Sequence, residues 1–225
     1  RAFDQIRMSQ YSDGNLKFVG SHAGVSIGED GPSQMGLEDL AMFRTVLPSV
    51  VFYPADAYAT ERLVAVAAQH EGLVYIRTTR EATPILYNAE EEFVVGGCKI
   101  VRQSPQDVVT VIGAGVTLFE ALEAHEELAK EGLKIRVIDL YCIKPVDVAT
   151  LKLAAKDTQA IITVEDHYAE GGLGEAVLSG LAANPVPVHI LAVRQKPKSG
   201  KPEQLLDFEK ISSRAIIAKV KEILA

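Results

Sequence analysis

The sequence predicts an α/β fold: two consecutive three-layer units with mostly parallel sheets, the first truncated at its amino terminus. Three observations carry that expectation. Short β-branched runs alternate with amphipathic stretches, a rhythm that implies parallel strands joined by right-handed crossovers. The 225 residues are 48 % hydrophobic and 24 % charged, enough apolar side chain for a sizeable core and too little charge for disorder. The alternation breaks once, between Arg80 and Gly97. That break divides the chain into residues 1–92, with a linker from about residue 81, and residues 93–225.

Ala2, Phe3 and Ile6 stand at helical spacing at the very start. No Ser, Thr, Asp or Asn precedes them as an N-cap, so the helix is expected to begin upstream of Arg1. After the turn at Ser12-Asp13-Gly14-Asn15, Leu16 to Gly20 reads as a strand. A glycine-rich stretch from His22 to Gly36 follows. The next helix carries Leu37, Leu40, Ala41 and Phe43 and is stopped by Pro48. Val50 to Tyr53 is a strand closed by Pro54, Tyr58 to Gln69 an alanine-rich helix, and Leu73 to Arg77 a third strand. The linker contains Glu90-Glu91-Glu92 and Gly96-Gly97 around a short extended piece.

The rhythm then resumes. Strands are expected at Val108–Ile112, Ile135–Leu140, Ala160–Val164 and Val188–Val193. Helices are expected at Thr117–Lys130, Val146–Ala155, Gly174–Ala183 and Ser212–Leu224. Nothing repeats beyond the shared β–α alternation.

Charge and cysteine usage exclude several function classes. The net charge is −7, and residues 1–92 hold 13 acidic against 7 basic side chains. That balance opposes binding to nucleic acid, where a basic face must neutralise phosphates. Cys98 and Cys142 are too few and too far apart for a disulfide framework or a CxxC metal site, which suggests a reducing compartment. No apolar run approaches the roughly 18–20 residues of a membrane span, and no basic-then-apolar leader opens the chain.

Three segments invite a functional reading. Gly113-Ala114-Gly115, between a strand and a helix, imitates a dinucleotide fingerprint, but Leu118 stands where the third glycine belongs. Glu165-Asp166-His167 leaves a strand end just before Gly171-Gly172-Leu173-Gly174, where free N–H groups suit an anion. An acid–base or phosphate site and a hydrogen-bonded corner or interface both fit, the corner being the plainer reading. His70, His125 and His189 stand alone in helix or strand contexts and point to surface or core roles.

The third segment is the most informative. Gly20 to Met35 packs glycines around His22, Glu29, Asp30 and Gln34. Such a backbone turns tightly and approaches a ligand closely. Its polar side chains can hold hydroxyls, and loops at strand ends of α/β sheets are where ligands bind. A second strand end, Arg77-Thr78-Thr79-Arg80, offers two guanidinium groups suited to phosphate. A polyhydroxylated phosphate and a structural loop remain the two readings of this inventory.

Arg1–Arg7, the run Gly-Ser-His-x-Gly-Val-Ser-Ile-Gly-Glu-Asp-Gly-Pro-Ser-Gln-Met over 20–35, and Leu37–Arg44 together resemble the transketolase pyrimidine-binding domain from its middle onward. Val51–Asp56, Tyr75–Arg80, Thr110–Leu118, Thr163–Tyr168 and Lys198–Pro202 continue the likeness over essentially the whole chain. Gln34, where many bacterial, yeast and plant members carry histidine, is similar to the animal branch. Transketolases use thiamine diphosphate and a divalent cation, Mg or Ca, to move a two-carbon ketol unit between sugar phosphates. The resemblance implies that His22 and Arg80 hold the substrate phosphate and that Asp30 reads the hydroxyl at sugar C2. It implies that Gln34 lies beside the cofactor. It assigns no catalytic role to Glu165, Asp166 or His167.

The family's diphosphate- and metal-binding domain, and the glutamate that activates the cofactor, lie amino-terminal to the positions matched here. The resemblance therefore implies no catalytic residue and no metal ligand within this chain. It also implies a cytoplasmic homodimer whose sites form between subunits, and a chain that alone neither retains the cofactor nor transfers ketol units. Two alternatives stay open. One is another thiamine enzyme, such as deoxyxylulose-phosphate synthase or the beta subunit of a 2-oxoacid dehydrogenase, against which the 20–35 spelling argues. The other is a non-catalytic dimerisation or regulatory module that keeps the fold.

Overall fold

A computed structural model describes residues 1–225. Helix α1 (Phe3–Tyr11) starts without a side-chain cap and leads into strand β1 (Lys17–Gly20). The glycine-rich stretch forms two 3-10 turns, Val25–Asp30 and Pro32–Gln34, rather than open coil. Then come α2 (Asp39–Thr45), β2 (Ser49–Phe52), α3 (Ala57–Gln69) and β3 (Leu73–Arg77). Helix α3 begins where it does because the Asp56 carboxylate accepts the Ala59 N–H at 2.8 Å. The second unit runs β4 (Lys99–Arg102), β5 (Val109–Gly113), α4 (Val116–Lys130), β6 (Ile135–Asp139) and β7 (Cys142–Lys144). It continues with α5 (Val148–Asp157), β8 (Ala160–Tyr168), α6 (Leu173–Gly180), β9 (Val188–Val193), α7 (Pro202–Phe208) and α8 (Ser213–Leu224).

The strands form two mostly parallel sheets, ordered β1-β3-β2-β7 and β4-β6-β5-β8-β9. Alternate side chains fill opposite faces, as the strand period of two demands. In β5, Val109 and Val111 join the larger core of 33 buried residues, and Ile112 joins the smaller one of 17. In β2, Val50 and Phe52 turn to the first core and Val51 to the second. Both sheets are therefore covered on both faces, giving two three-layer units. Each core also draws residues from both units, so the apolar interior is continuous across them.

The structure corrects the sequence reading in five places. Strand β7 was unforeseen, and it leaves its own unit to pair antiparallel with β2, Val51 opposite Lys144 and Phe52 opposite Cys142. It is held there by Lys144, whose ammonium donates to the carbonyls of Arg44 and Val46 and to Ser49 Oγ. Strand β4, the antiparallel edge of the second sheet, and the seven-residue α7 were also unforeseen. The linker contains no strand; it is fixed by Asp56, whose second oxygen accepts the Leu86 and Tyr87 N–H groups at 2.7 and 2.8 Å. Strand β8, expected to end at Val164, runs on to Tyr168 and buries Glu165, Asp166 and His167 within it.

Gly113-Ala114-Gly115 makes a tight turn into α4. Gly115 takes φ +57°, and a Cβ there would overlap the Tyr53 ring of the first unit. The motif is thus explained by turn geometry and by packing between the units. Cys98 and Cys142 are both free thiols, and no helix is long and apolar enough to cross a membrane.

Candidate functional site

Strands β1 and β3 are parallel neighbours with Gly20 opposite Arg77, so the segments that follow them leave the same end of the sheet. This is the carboxyl end, where open α/β sheets bind ligands. The two segments are tied together at once. Thr78 N–H donates to Gly20 O at 2.8 Å, and Ala23 N–H donates to Thr78 O at 3.2 Å. His22 therefore stands beside Thr78, two residues before Arg80. His22 is exposed, takes φ +62°, and its Nδ1 lies 3.1 Å from Ser21 Oγ. A left-handed histidine is uncommon, and such strain gathers where a side chain must be aimed.

The 3-10 turns carry the rest of the inventory. Asp30, at the end of the first turn, meets Arg80 in an ion pair of 3.2 Å, both side chains about 40 % exposed. The same Arg80 nitrogen donates to Ile27 O at 3.3 Å. The other guanidinium nitrogens and Asp30 Oδ1 have no partner within the chain, so both groups keep hydrogen-bonding capacity toward solvent. Gln34, in the second turn, is exposed and makes no side-chain hydrogen bond within the chain. Beside the pair, a groove of about 620 Å³ runs between the units, bordered by Ser26, Glu29, Glu81 and Lys201.

Arg77, expected with Arg80 to face phosphate, does not. It is completely buried, with Nε 2.9 Å from Asp39 Oδ2 and one terminal nitrogen donating to Gly36 O and Asp166 O at 2.9 and 2.7 Å. Its plane lies over the Tyr53 ring, 4.6 Å from the centroid. Position explains the difference: Arg77 is the last residue of β3, every residue of which is buried, whereas Arg80 lies three residues beyond the strand end. Burial pushes the Asp39 carboxyl up, but Arg77 and the Tyr75 hydroxyl at 2.7 Å outweigh it and hold the group below its ordinary value.

Glu165, Asp166 and His167 form the counterpart of this joint. The Glu165 carboxylate accepts the N–H groups of Leu173 and Gly174 at the start of α6, so a side chain of the protein itself occupies the anion position expected there. Burial pushes Glu165 up to about 8 against those two donors. Asp166 Oδ1 accepts Val25 N–H at 2.7 Å and Oδ2 accepts Ser26 N–H at 3.4 Å. His167 Nδ1 lies 2.6 Å from Tyr168 O, and Nε2 accepts Ala41 N–H at 3.4 Å. That pattern fits only the neutral ring, and burial with the nearby Arg77 charge holds its pKa down at about 4. The glycines of the loop thus approach the second unit rather than a ligand. A Cβ at Gly24, φ +83°, would overlap the Asp166 carboxylate.

Sequence reasoning missed Arg77 and Asp39 as partners and Asp166 as the anchor of the loop. The Glu-Asp-His cluster was the available signal, but the loop residues that Asp166 anchors, Val25 and Ser26, lie about 140 residues away in sequence. No group of three His, Cys, Asp or Glu side chains stands where it could hold a metal ion. The residues present therefore do not fit a divalent-cation site.

Two mostly parallel sheets, with an exposed loop and an arginine gathered at the carboxyl ends of adjacent strands, define an α/β protein. Family models narrow the class. Residues 1–85 match the transketolase pyrimidine binding domain, and residues 96–216 match the transketolase C-terminal domain. The chain belongs to the transketolase family. It is 59 % identical to transketolase-like protein 2 of Mus musculus over 99 % of this chain, and 54 % identical to transketolase of Homo sapiens over 100 % of it. It spans 36 % of the length of each of those relatives. Among solved structures, a split gene transketolase described as an inactive beta4 tetramer is 35 % identical with a TM-score of 0.88. That match covers 99 % of this chain and 71 % of the other. A Pichia stipitis transketolase in complex with sedoheptulose-7-phosphate shares the fold at 20 % identity and a TM-score of 0.80, over 98 % of this chain and 32 % of the other.

Proposed function

We propose that this chain is the sugar-phosphate-holding part of a transketolase, acting in the transfer of a two-carbon ketol unit from a ketose phosphate to an aldose phosphate. The observation that carries this reading is the exposed Asp30–Arg80 pair beside His22 at the carboxyl ends of β1 and β3. The free face of the Arg80 guanidinium and the His22 imidazole hold the phosphate. Asp30, an acceptor with one oxygen unspent, takes the hydrogen bond of the C2 hydroxyl. Gln34 lies toward the cofactor. Thiamine diphosphate supplies the electron sink in this family. In this reading the cofactor and its cation are held by a diphosphate-binding half, and a homodimer brings the halves together.

The test mixes this chain with the separately expressed diphosphate-binding half of a relative, thiamine diphosphate and magnesium. Ketol transfer from a ketose phosphate is expected in the mixture and in neither half alone. Arg80→Ala removes a charged hydrogen bond worth about 1.5–3 kcal/mol, so KM for phosphorylated sugars rises roughly 10- to 100-fold while unphosphorylated sugars are little affected. An unchanged KM sinks the assignment. A second reading, an assembly module without turnover, draws on the likeness to a tetramer described as inactive. Association of the halves with no transfer favours it.

A further inference from the structure

We infer that Asp166, in the second unit, is a positioning residue that sets where the His22–Asp30 loop stands relative to Arg80. On the sugar-phosphate reading above, on which this inference rests for its ligand, Asp166 thereby governs the affinity of the site for phosphorylated sugars.

One residue grips both arms of the site. Its carboxylate accepts the N–H groups of Val25 and Ser26, between His22 and Asp30 in the loop. Its main-chain oxygen accepts a hydrogen bond from Arg77 at the end of β3, three residues before Arg80. The loop is pressed against this carboxylate, since Gly24 leaves no room for a Cβ. The grip is stiff because Asp166 is fully buried and its neighbours are tied down, Glu165 by the N–H groups of Leu173 and Gly174 and His167 by the Ala41 N–H. It is also short-ranged. Ile27, whose carbonyl receives the Arg80 guanidinium, directly follows Ser26, and Asp30 is three residues beyond it. Any slip of Val25 and Ser26 therefore moves Asp30 and its ion pair. A phosphate held jointly by His22 and Arg80 is sensitive to such a slip, because a displacement of about 1 Å costs up to 100-fold in a positioned site. Asp166 touches no ligand in this scheme. It acts through the loop and through Arg77.

The experiment uses the 225-residue chain as wild type, Asp166→Ala, Asp166→Asn and Gly24→Ala. Asparagine keeps one acceptor for Val25 N–H. Alanine at residue 24 pushes from the loop side and leaves the carboxylate in place. Amide hydrogen exchange and ribose 5-phosphate titration, followed through the His22 ring resonances, give independent readouts. Asp166→Ala and Gly24→Ala should speed exchange at residues 25–31 at least tenfold without changing β5 and β6, and should weaken ribose 5-phosphate about tenfold. Asp166→Asn should recover part of both effects. If the variants bind as tightly as wild type, the inference fails while the sugar-phosphate reading stands. If exchange rises equally in β5 and β6, the role is merely structural and the inference fails. A wild-type chain that shows no response to ribose 5-phosphate overturns the sugar-phosphate reading and the affinity role together. Exchange at residues 25–31 then decides alone whether Asp166 holds the loop.

Discussion

Arg77→Met takes a completely buried guanidinium out of the joint between the two units. Asp39 is left facing a thioether with only the Tyr75 hydroxyl at 2.7 Å, and the carbonyls of Gly36 and Asp166 lose their donor. Breaking a buried pair from one side costs about 3–5 kcal/mol, because the stranded charge stays desolvated. For a chain of this size each kcal/mol lowers the melting temperature by about 2–4 °C, so the midpoint should fall by about 6–20 °C. Urea unfolding followed by far-ultraviolet circular dichroism measures the loss directly, which suits a protein without tryptophan. Arg77→Lys keeps the charge but not the planar fork over Tyr53 and should fall between wild type and Arg77→Met. Adding Asp39→Leu to Arg77→Met should restore stability, since the stranded anion is gone. A loss below about 1 kcal/mol for Arg77→Met, or a double variant weaker than the single, would refute the buried-pair account.

Two further perturbations test other parts of the joint. The folded state keeps His167 neutral down to about pH 4, whereas an unfolded chain protonates it near its ordinary value of 6.5. The unfolded state therefore binds the extra proton between those values, and acid removes about 3 kcal/mol of stability across that window. His167→Gln should flatten that part of the stability–pH curve, and parallel curves from pH 4 to 7 contradict the assignment. Asp56→Ala removes the cap of α3 and two linker hydrogen bonds, at a cost of roughly 3 kcal/mol. Limited proteolysis should then cut near Tyr87, and an uncut linker at equal stability argues against Asp56 as its anchor.

Much of the fold was legible because its signals are local. The apolar runs read at Val108–Ile112 and Leu73–Arg77 and the alanine-rich helix read at Tyr58–Gln69 need only near neighbours to declare themselves. The loop from His22 to Gln34 and the arginine at residue 80 were legible for the same reason, since strand ends and glycine spacing mark them. What stayed hidden was set by distant pairing. Cys142-Ile143-Lys144 is too short to show a period, and its partner β2 lies in the other unit. Arg77 and Arg80 are alike as letters, and only Asp39 and Asp166, reached through tertiary packing, make one a buried tie and leave the other at the surface. Glycines suited to meeting a ligand proved to be spaces for Asp166 and Tyr53.

The crossing of β7 into the first sheet bears on how the chain comes into being. As the polypeptide emerges during synthesis, β1, β2, β3 and the helices between them are available early, but the outer edge of β2 has no partner until Lys144 has been made. For that interval Val51 and Phe52 present bare backbone donors and acceptors, the kind of border that invites a neighbouring nascent chain. The last piece of the first sheet is thus delivered by the second unit, and the order of manufacture is not the order in which the sheets are completed.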